Sequence, residues 1–319
     1  MKRELKWMLA INSAILLFLV YEVSDLLSLL LDSGASDAFT KEELNSNSSQ
    51  ALIPKIIHQT YKNESIPDIW KGPQQSCLDL HPDYTYMMWT DESAREFVAT
   101  HYSWFLDTYD SYPYPIMRAD VIRYFILSHY GGIYIDLDNG CTRRLDPLLQ
   151  SPAWVRKTIP TGVSNDLMGS VPHHPFFKKV IANLERYNRN WFVSYITIMF
   201  STGPLFVSVI WKQYKRTREA YQNPKALLRV LIPPTKKSTA QEKAEYFFYT
   251  AKGSSWHLGD AKFIFSMGKH WIFFTILGTA LVLSVLYLQY RIYQKLSRWG
   301  GFRRTPRGKG RYIAVEQQV

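Results

Sequence analysis

The sequence predicts an α/β fold, a sheet with parallel strands, bracketed in the chain by apolar helices able to cross a membrane. Three observations predict it. Short apolar runs alternate with helical segments from residue 53 onward. Trp271–Tyr290 is a twenty-residue run without a charge. The formal charge of +11 sits mostly at the two ends, +2 over residues 1–21 and +7 over residues 291–319. The middle is therefore nearly neutral, which excludes a basic nucleic-acid-reading face and fits cytosolic flanks of membrane spans.

At the N-terminus, Trp7–Tyr21 is apolar, and Glu22 and Asp25 interrupt the run before Leu26–Leu31. This reads either as a signal peptide cleaved near Ser33-Gly34-Ala35 or as an uncleaved anchor. The small-residue site lies far beyond the apolar stretch, so residues 1–31 are expected to be a cytosolic tip and anchor. Residues 32–52, rich in Ser and Asn, read as a stem. A folded domain is expected over 53–268, a second span over 269–290 and a basic cytosolic tail over 291–319.

Within the domain, Ile53–His58 and Tyr84–Trp89 read as strands, and Asp91–His101 as a helix capped by Thr90. Ile116–His129 reads as a helix ended by Gly131-Gly132, Ile133–Asp136 as a buried strand and His174–Tyr187 as a helix after Pro172. Trp191–Trp211 is also uncharged but carries Ser201-Thr202-Gly203-Pro204 at its centre, and a third span would put the basic tail outside the cytosol. It is expected to be buried core or a helix resting near the membrane. Cys77 and Cys141 allow at most one bridge, and the sequence leaves bridge and free thiols equally open.

The chemistry centres on Arg118-Ala119-Asp120-Val121-Ile122-Arg123 followed by Gly131 through Asp138. Asp136 and Asp138, one residue apart at the C-terminal end of a strand, can both reach one divalent ion where ligands enter open α/β sheets. Asp120 and Arg123 lie three apart on the preceding helix and can face the same cleft. An isolated Asp-x-Asp is equally compatible with a solvated turn.

The longer string resembles a glycosyltransferase family that includes fungal α-1,6-mannosyltransferases, inositolphosphoceramide mannosyltransferases and the large clostridial glucosylating toxins. Five ordered stretches carry the resemblance: Ile53–Tyr61, Trp89-Thr90-Asp91, Arg118–Asp138, Asn165–Met168 with His174-Pro175-Phe176, and Thr202-Gly203-Pro204. The resemblance implies the GT-A nucleotide-sugar fold, a Mn²⁺ or Mg²⁺ ion at Asp136 and Asp138, and retention of anomeric configuration. It implies that Asp120 and Arg123 position the donor sugar. His58, Gln59, Tyr61, Tyr134, Asn165, Asp166 and Trp256 would contact the donor, and His257 would join the metal shell. Tyr61 stands where the family usually has Trp. His58 also reads as a core histidine, Asn165-Asp166 as a turn, and Gly253 through His257 as a surface loop.

The C-terminal span and Gly253-Ser254-Ser255-Trp256-His257 make the chain resemble, within the family, the enzymes that mannosylate inositol phosphorylceramide. The expected donor is GDP-mannose and the expected acceptor that lipid, in a Golgi or endoplasmic reticulum membrane. The domain would be lumenal, both termini cytosolic, and a regulatory membrane subunit a further partner. An N-glycan or other glycolipid mannosyl- or galactosyltransferase of the same family is the alternative enzyme, and an inactive membrane scaffold the alternative outside enzymes.

Overall fold

The computed structural model describes residues 3–45, 51–158, 161–217, 222–253 and 259–301. In chain order its helices are α1 (Arg3–Leu30), α2 (Lys41–Asn45), α3 (Asp68–Leu80), α4 (Asp91–His101), α5 (Leu106–Ser111), α6 (Pro115–Tyr130), α7 (Pro175–Tyr187), α8 (Ser194–Ser201), α9 (Pro204–Lys215), α10 (Ala240–Glu245), α11 (Gly259–Lys269) and α12 (Trp271–Gly301). Its strands are β1 (Ile56–Thr60), β2 (Thr85–Trp89), β3 (Gly132–Ile135), β4 (Asn139–Cys141), β5 (Ala153–Lys157), β6 (Val163–Ser170), β7 (Leu228–Leu231) and β8 (Phe248–Thr250). The chain divides into two compact units, Met1–Tyr21 with Phe263–Val319, and Glu22–Lys262.

The first unit holds most of α1 and all of α12. Leu9–Leu30 and Trp271–Lys295 are long and apolar enough to cross a membrane, and almost nothing of the protein covers them. Leu16, Leu17, Phe18, Ile272, Phe273 and Leu283 are all exposed, which water penalises and hydrocarbon does not. Asn12 Nδ2 donates to Gln289 Oε1 at 3.3 Å, pairing two amides that lipid alone would leave unsatisfied.

In the second unit, a six-stranded sheet runs β2-β1-β3-β6-β5-β7. The β2-β1-β3 and β5-β7 pairs are parallel, as expected, but β6 runs antiparallel to both β3 and β5. The sheet is therefore mixed. The β5–β6 connection is a short turn closed by Thr158 N–H donating to Gly162 O at 3.0 Å, too short for the crossover a parallel pair needs.

Side chains alternate across β3, so the sheet separates two cores. Tyr134 joins Val121, Phe125, Met168, Phe176 and Trp211 on one face. Ile133 and Ile135 join Ile57, Trp154, Leu167 and Phe247 on the other. Helix α6 is buried on every side from Asp120 to Ser128, so its charged residues sit inside the protein. At its end Gly131 (φ 69°) and Gly132 (φ 94°) turn the chain into β3, and a Cβ on Gly132 would lie 2.8 Å from Ile56 O. The Thr90 cap forms a box with Ser93, and the uncharged Trp191–Trp211 run becomes α8 and α9, broken at Gly203-Pro204 and largely buried.

Two features of the N-terminal region depend on contacts with the rest of the chain. Helix α1 runs through Glu22 and Asp25 without a break. Asp25 accepts from Arg216 Nη1 at 2.5 Å and Gln213 Nε2 at 3.0 Å, so the charge that interrupts the run is neutralised by Arg216, just past the end of α9. The segment read as a stem over 32–52 does not run free. Phe39 N–H donates to Val230 O, Glu43 pairs with Arg229 at 2.5 Å, and Phe39 and Leu44 pack on the core beside Ile57. Residues 46–50 lie outside the described residues.

Cys77 of α3 and Cys141 of β4 form a disulfide, resolving what the sequence left open. Beside it Cys141 N–H donates to Ser76 Oγ at 3.0 Å. Replacing both cysteines with Ser frees a loop spanning 64 positions, and chain entropy then implies a loss of about 4 kcal/mol. Thermal unfolding of the full chain in detergent should show the second unit melting several degrees earlier. An unchanged melting temperature would mean the bond contributes nothing to stability.

Candidate functional site

A cleft of about 540 Å³ opens at the C-terminal ends of β1 and β3, where open α/β sheets bind ligands. Its floor is made by Asp120 and Arg123 from α6, Asp136 and Asp138 following β3, and Arg156, Asn165 and Asp166 from β5 and β6.

Arg123 organises the floor. Its Nε donates to Ala119 O at 3.0 Å and its Nη1 to Asn165 O at 2.9 Å. Nη1 also lies 3.2 Å from Asp136 Oδ1, and Nη2 lies 3.2 Å from Asp120 Oδ1. The guanidinium stacks 4.7 Å from the Tyr134 ring centroid. Asp120 additionally accepts from Asn165 Nδ2 at 2.8 Å and Thr202 Oγ1 at 3.0 Å. Burial pushes the Asp120 carboxyl up to about 6, against the pull of Arg123.

Asp136 accepts from the Tyr134 hydroxyl at 2.6 Å, and that hydroxyl also meets Thr60 Oγ1 at 2.9 Å. A break in the β5–β6 register between Val155 and Arg156 leaves Asn165 and Asp166 outside the ladder with β5. Such an irregularity re-aims side chains, and here it turns both residues into the cleft. Asp166 pairs with Arg156, while its buried Oδ1 has no partner among the described residues.

Asp138 stands apart from this network. Its Oδ1 accepts from Asn139 Nδ2 at 3.2 Å, and its carbonyl accepts from Ala251 N–H at 2.7 Å. Burial first, and then the carboxylates of Asp136 and Asp166, push the Asp138 carboxyl up to about 6. A Cβ on Gly253 would lie 1.7 Å from Asp138 Oδ2, so only glycine lets this late segment approach the carboxylate. Trp70 Nε1 donates to Lys252 O at 3.0 Å and holds the segment from the other side. Helix α3 thereby brackets the site, fixing β4 through Cys77 and the residues after β8 through Trp70.

The donor set fits a hard divalent cation. Four carboxylates face two guanidiniums across the floor, and Asp138 is the one that pairs with neither of them. Among the described residues no cluster of three His, Cys, Asp or Glu has metal-binding geometry. A hard divalent cation can be held by one or two carboxylates and completed by ligand phosphates.

The predicted residues divide by position. Asp120, Arg123, Asp136, Asp138, Tyr61, Asn165 and Asp166 line the cleft. Tyr134 lies behind it and supports Asp136. His58 and Gln59 do not reach it. His58 is fully buried, with Nε2 against Gly131 O at 2.9 Å and Nδ1 accepting from Trp89 Nε1 at 3.2 Å. Burial holds it down to about 4, so it is a neutral core histidine. Gln59 is equally buried, accepting from the Tyr86 hydroxyl at 2.9 Å. Trp256 and His257 lie outside the described residues.

The sequence reading missed Arg156 and Trp70, and took Gly253 only as the start of a late loop. A charge within the apolar run Ala153–Val155 was the available signal for Arg156. Trp70 stands edge-on to Tyr61, with ring centroids 5.7 Å apart, and adds a second ring to the cleft wall beside the expected Tyr61.

A family model described as a glycosyltransferase sugar-binding region containing the DXD motif matches residues 67–154. Mannosyl phosphorylinositol ceramide synthase CSH1 of Saccharomyces cerevisiae is 52% identical over 92% of this chain and 79% of its own length. Its counterpart SUR1 from the same yeast is 53% identical over 92% of this chain and 75% of its own length. Inositol phosphoceramide mannosyltransferase 3 of Schizosaccharomyces pombe is 50% identical over 85% of this chain and 72% of its own length.

Lysine at position 123 keeps the charge but cannot span Asp120, Asp136 and Asn165 O together. Arg123→Lys should therefore lower turnover by about a hundredfold or more, with thermal stability reduced as well. Near-normal turnover would reduce Arg123 to a packing residue.

Proposed function

This chain belongs to the glycosyltransferase family that carries the DXD sugar-binding region, and we propose that it transfers mannose from GDP-mannose to inositol phosphorylceramide with retention of configuration. The observation that carries the reading is an intact Arg123–Asp120–Asp136 network beside Asp138, in a chain about half identical to synthases of mannosylated inositol phosphoceramide.

Asp138, with Asp136 beside it, would hold the divalent ion. When bound, the ion neutralises negative charge on the departing diphosphate. Asp120 has about four lone pairs and uses three on Asn165, Thr202 and Arg123, so one remains for a sugar hydroxyl. Asp166 Oδ1, buried without a partner among the described residues, is a second acceptor of that kind. Tyr61 and Trp70 offer an aromatic wall to the nucleotide. Asp120, Asp136 and Asp166 are each engaged by an arginine, and Asp138 is the carboxylate this reading gives to the ion, so the reading assigns no floor carboxylate as nucleophile. This supports same-face attack, with a donor phosphate oxygen taking the proton of the acceptor hydroxyl.

The two apolar helices and the Cys77–Cys141 bond support a lumenal domain, since disulfides persist in oxidising compartments. The reading places the enzyme in the Golgi or endoplasmic reticulum membrane, with both termini cytosolic.

The test is a donor panel on the purified full chain, offered inositol phosphorylceramide. GDP-mannose should be the preferred donor, and the product an α-mannoside. Preference for a UDP-sugar, or transfer to an N-glycan in place of the lipid, contradicts the reading. Asp138→Asn should abolish transfer without lowering thermal stability, because it removes one of three mutually repelling carboxylates. Mn²⁺ should raise the melting temperature of the wild type but not of this variant. Equal stabilisation of both would place the ion elsewhere.

A further inference from the structure

The loop between α7 and α8 exposes two aromatic rings. Phe192 is 99% exposed and Trp191 46% exposed. Phe192 also adopts φ 63°, a left-handed conformation uncommon for a bulky residue. The turn is well built: Asn190 Oδ1 accepts from Phe192 N–H at 2.8 Å, and Thr197 Oγ1 accepts from Trp191 N–H at 3.0 Å. A strained, fully solvated phenylalanine is unfavourable twice over, and such features persist where function compensates them.

The tip is braced between the segments that lead into the two apolar helices. On one side Gln213 Nε2 donates both to the Tyr187 hydroxyl at 3.2 Å and to Asp25 Oδ2 at 3.0 Å, and Asp25 belongs to α1. On the other, Ser194 Oγ and Tyr195 N–H both donate to Asp260 Oδ2, the latter at 2.7 Å. Asp260 lies in the first turn of α11, the last element before α12. The exposed Arg186 and Arg189 stand just before the aromatic pair, and neither has an ion-pair partner among the described residues.

We propose that Trp191 and Phe192 dock into the interfacial layer of a lipid bilayer, with Arg186 and Arg189 facing anionic headgroups. Aromatic rings favour that layer, and flanking cations strengthen binding to an anionic surface. The docked loop runs directly into α8, where Ile198 lines the cleft, and Thr202 beyond it holds Asp120. Docking would therefore set the height of the cleft above the headgroups. That consequence for the acceptor rests on the lipid-acceptor reading above, whereas the docking itself does not.

The experiment uses the full chain reconstituted in vesicles of phosphatidylcholine and phosphatidylinositol. Phe192→Cys gives a single reactive thiol, since Cys77 and Cys141 are joined, and it carries an environment-sensitive fluorophore. The label should shift to the blue, resist aqueous iodide and be quenched by brominated lipid. A label at Glu96→Cys, exposed on α4, should stay open to iodide. Phe192→Ser should raise KM for the lipid acceptor about tenfold with kcat little changed. Turnover of soluble inositol phosphate should be unaffected. A label at 192 that is open to iodide and untouched by brominated lipid overturns the proposal. So does shielding that requires a second protein. A label quenched by brominated lipid in a chain that transfers nothing to inositol phosphorylceramide supports the docking and rejects the acceptor reading.

Discussion

The ion pairs of one buried guanidinium fix the geometry on which the cleft depends. Arg123 joins Asp120 on its own helix, Asp136 after β3 and the Asn165 carbonyl on β6. Helix α6, the end of β3 and β6 therefore share one charge centre. Buried charges are tolerated only when each has partners, so none of the three can move without exposing the others to a desolvation cost. The Tyr134 ring under the guanidinium, and its hydroxyl on Asp136, tighten the same constraint.

Asp138 obeys a different rule. It is half-buried among like charges and pairs with no arginine among the described residues, and the proposed cation would complete that charge balance. The parts around it are held from outside the sheet. Helix α3 reaches one arm of the site through Cys77 and the other through Trp70, so β4 and the segment ending at Gly253 stay together. A network of arginine-paired carboxylates thus lies beside Asp138, which pairs with no arginine among the described residues.

Much of this was legible in the sequence, for local reasons. Thr90 caps α4, glycines end α6, and Ile133–Ile135 form a buried strand, because caps, left-handed turns and apolar runs leave direct marks on residue type. Asp120, Arg123, Asp136 and Asp138 were legible because charges at fixed spacing have no place in a buried helix and strand without a task. What escaped depends on partners far away in the chain. Asp25 looked like a break in an apolar run and proved to be paired with Arg216. His58 could be assigned to the core only once Gly131 O and Trp89 were seen around its ring. The antiparallel β6 follows from a short turn, and the aim of Asn165 and Asp166 from a register break, neither of which periodicity records.

The central claim is that Asp138 and its neighbours form half of a cation site that the nucleotide-sugar diphosphate completes. Calorimetric titration of GDP-mannose into the full chain, with Mn²⁺ present and then with chelator, tests it most directly. The account predicts that donor affinity falls at least about tenfold when the ion is removed. Equal affinity with and without the ion would contradict it.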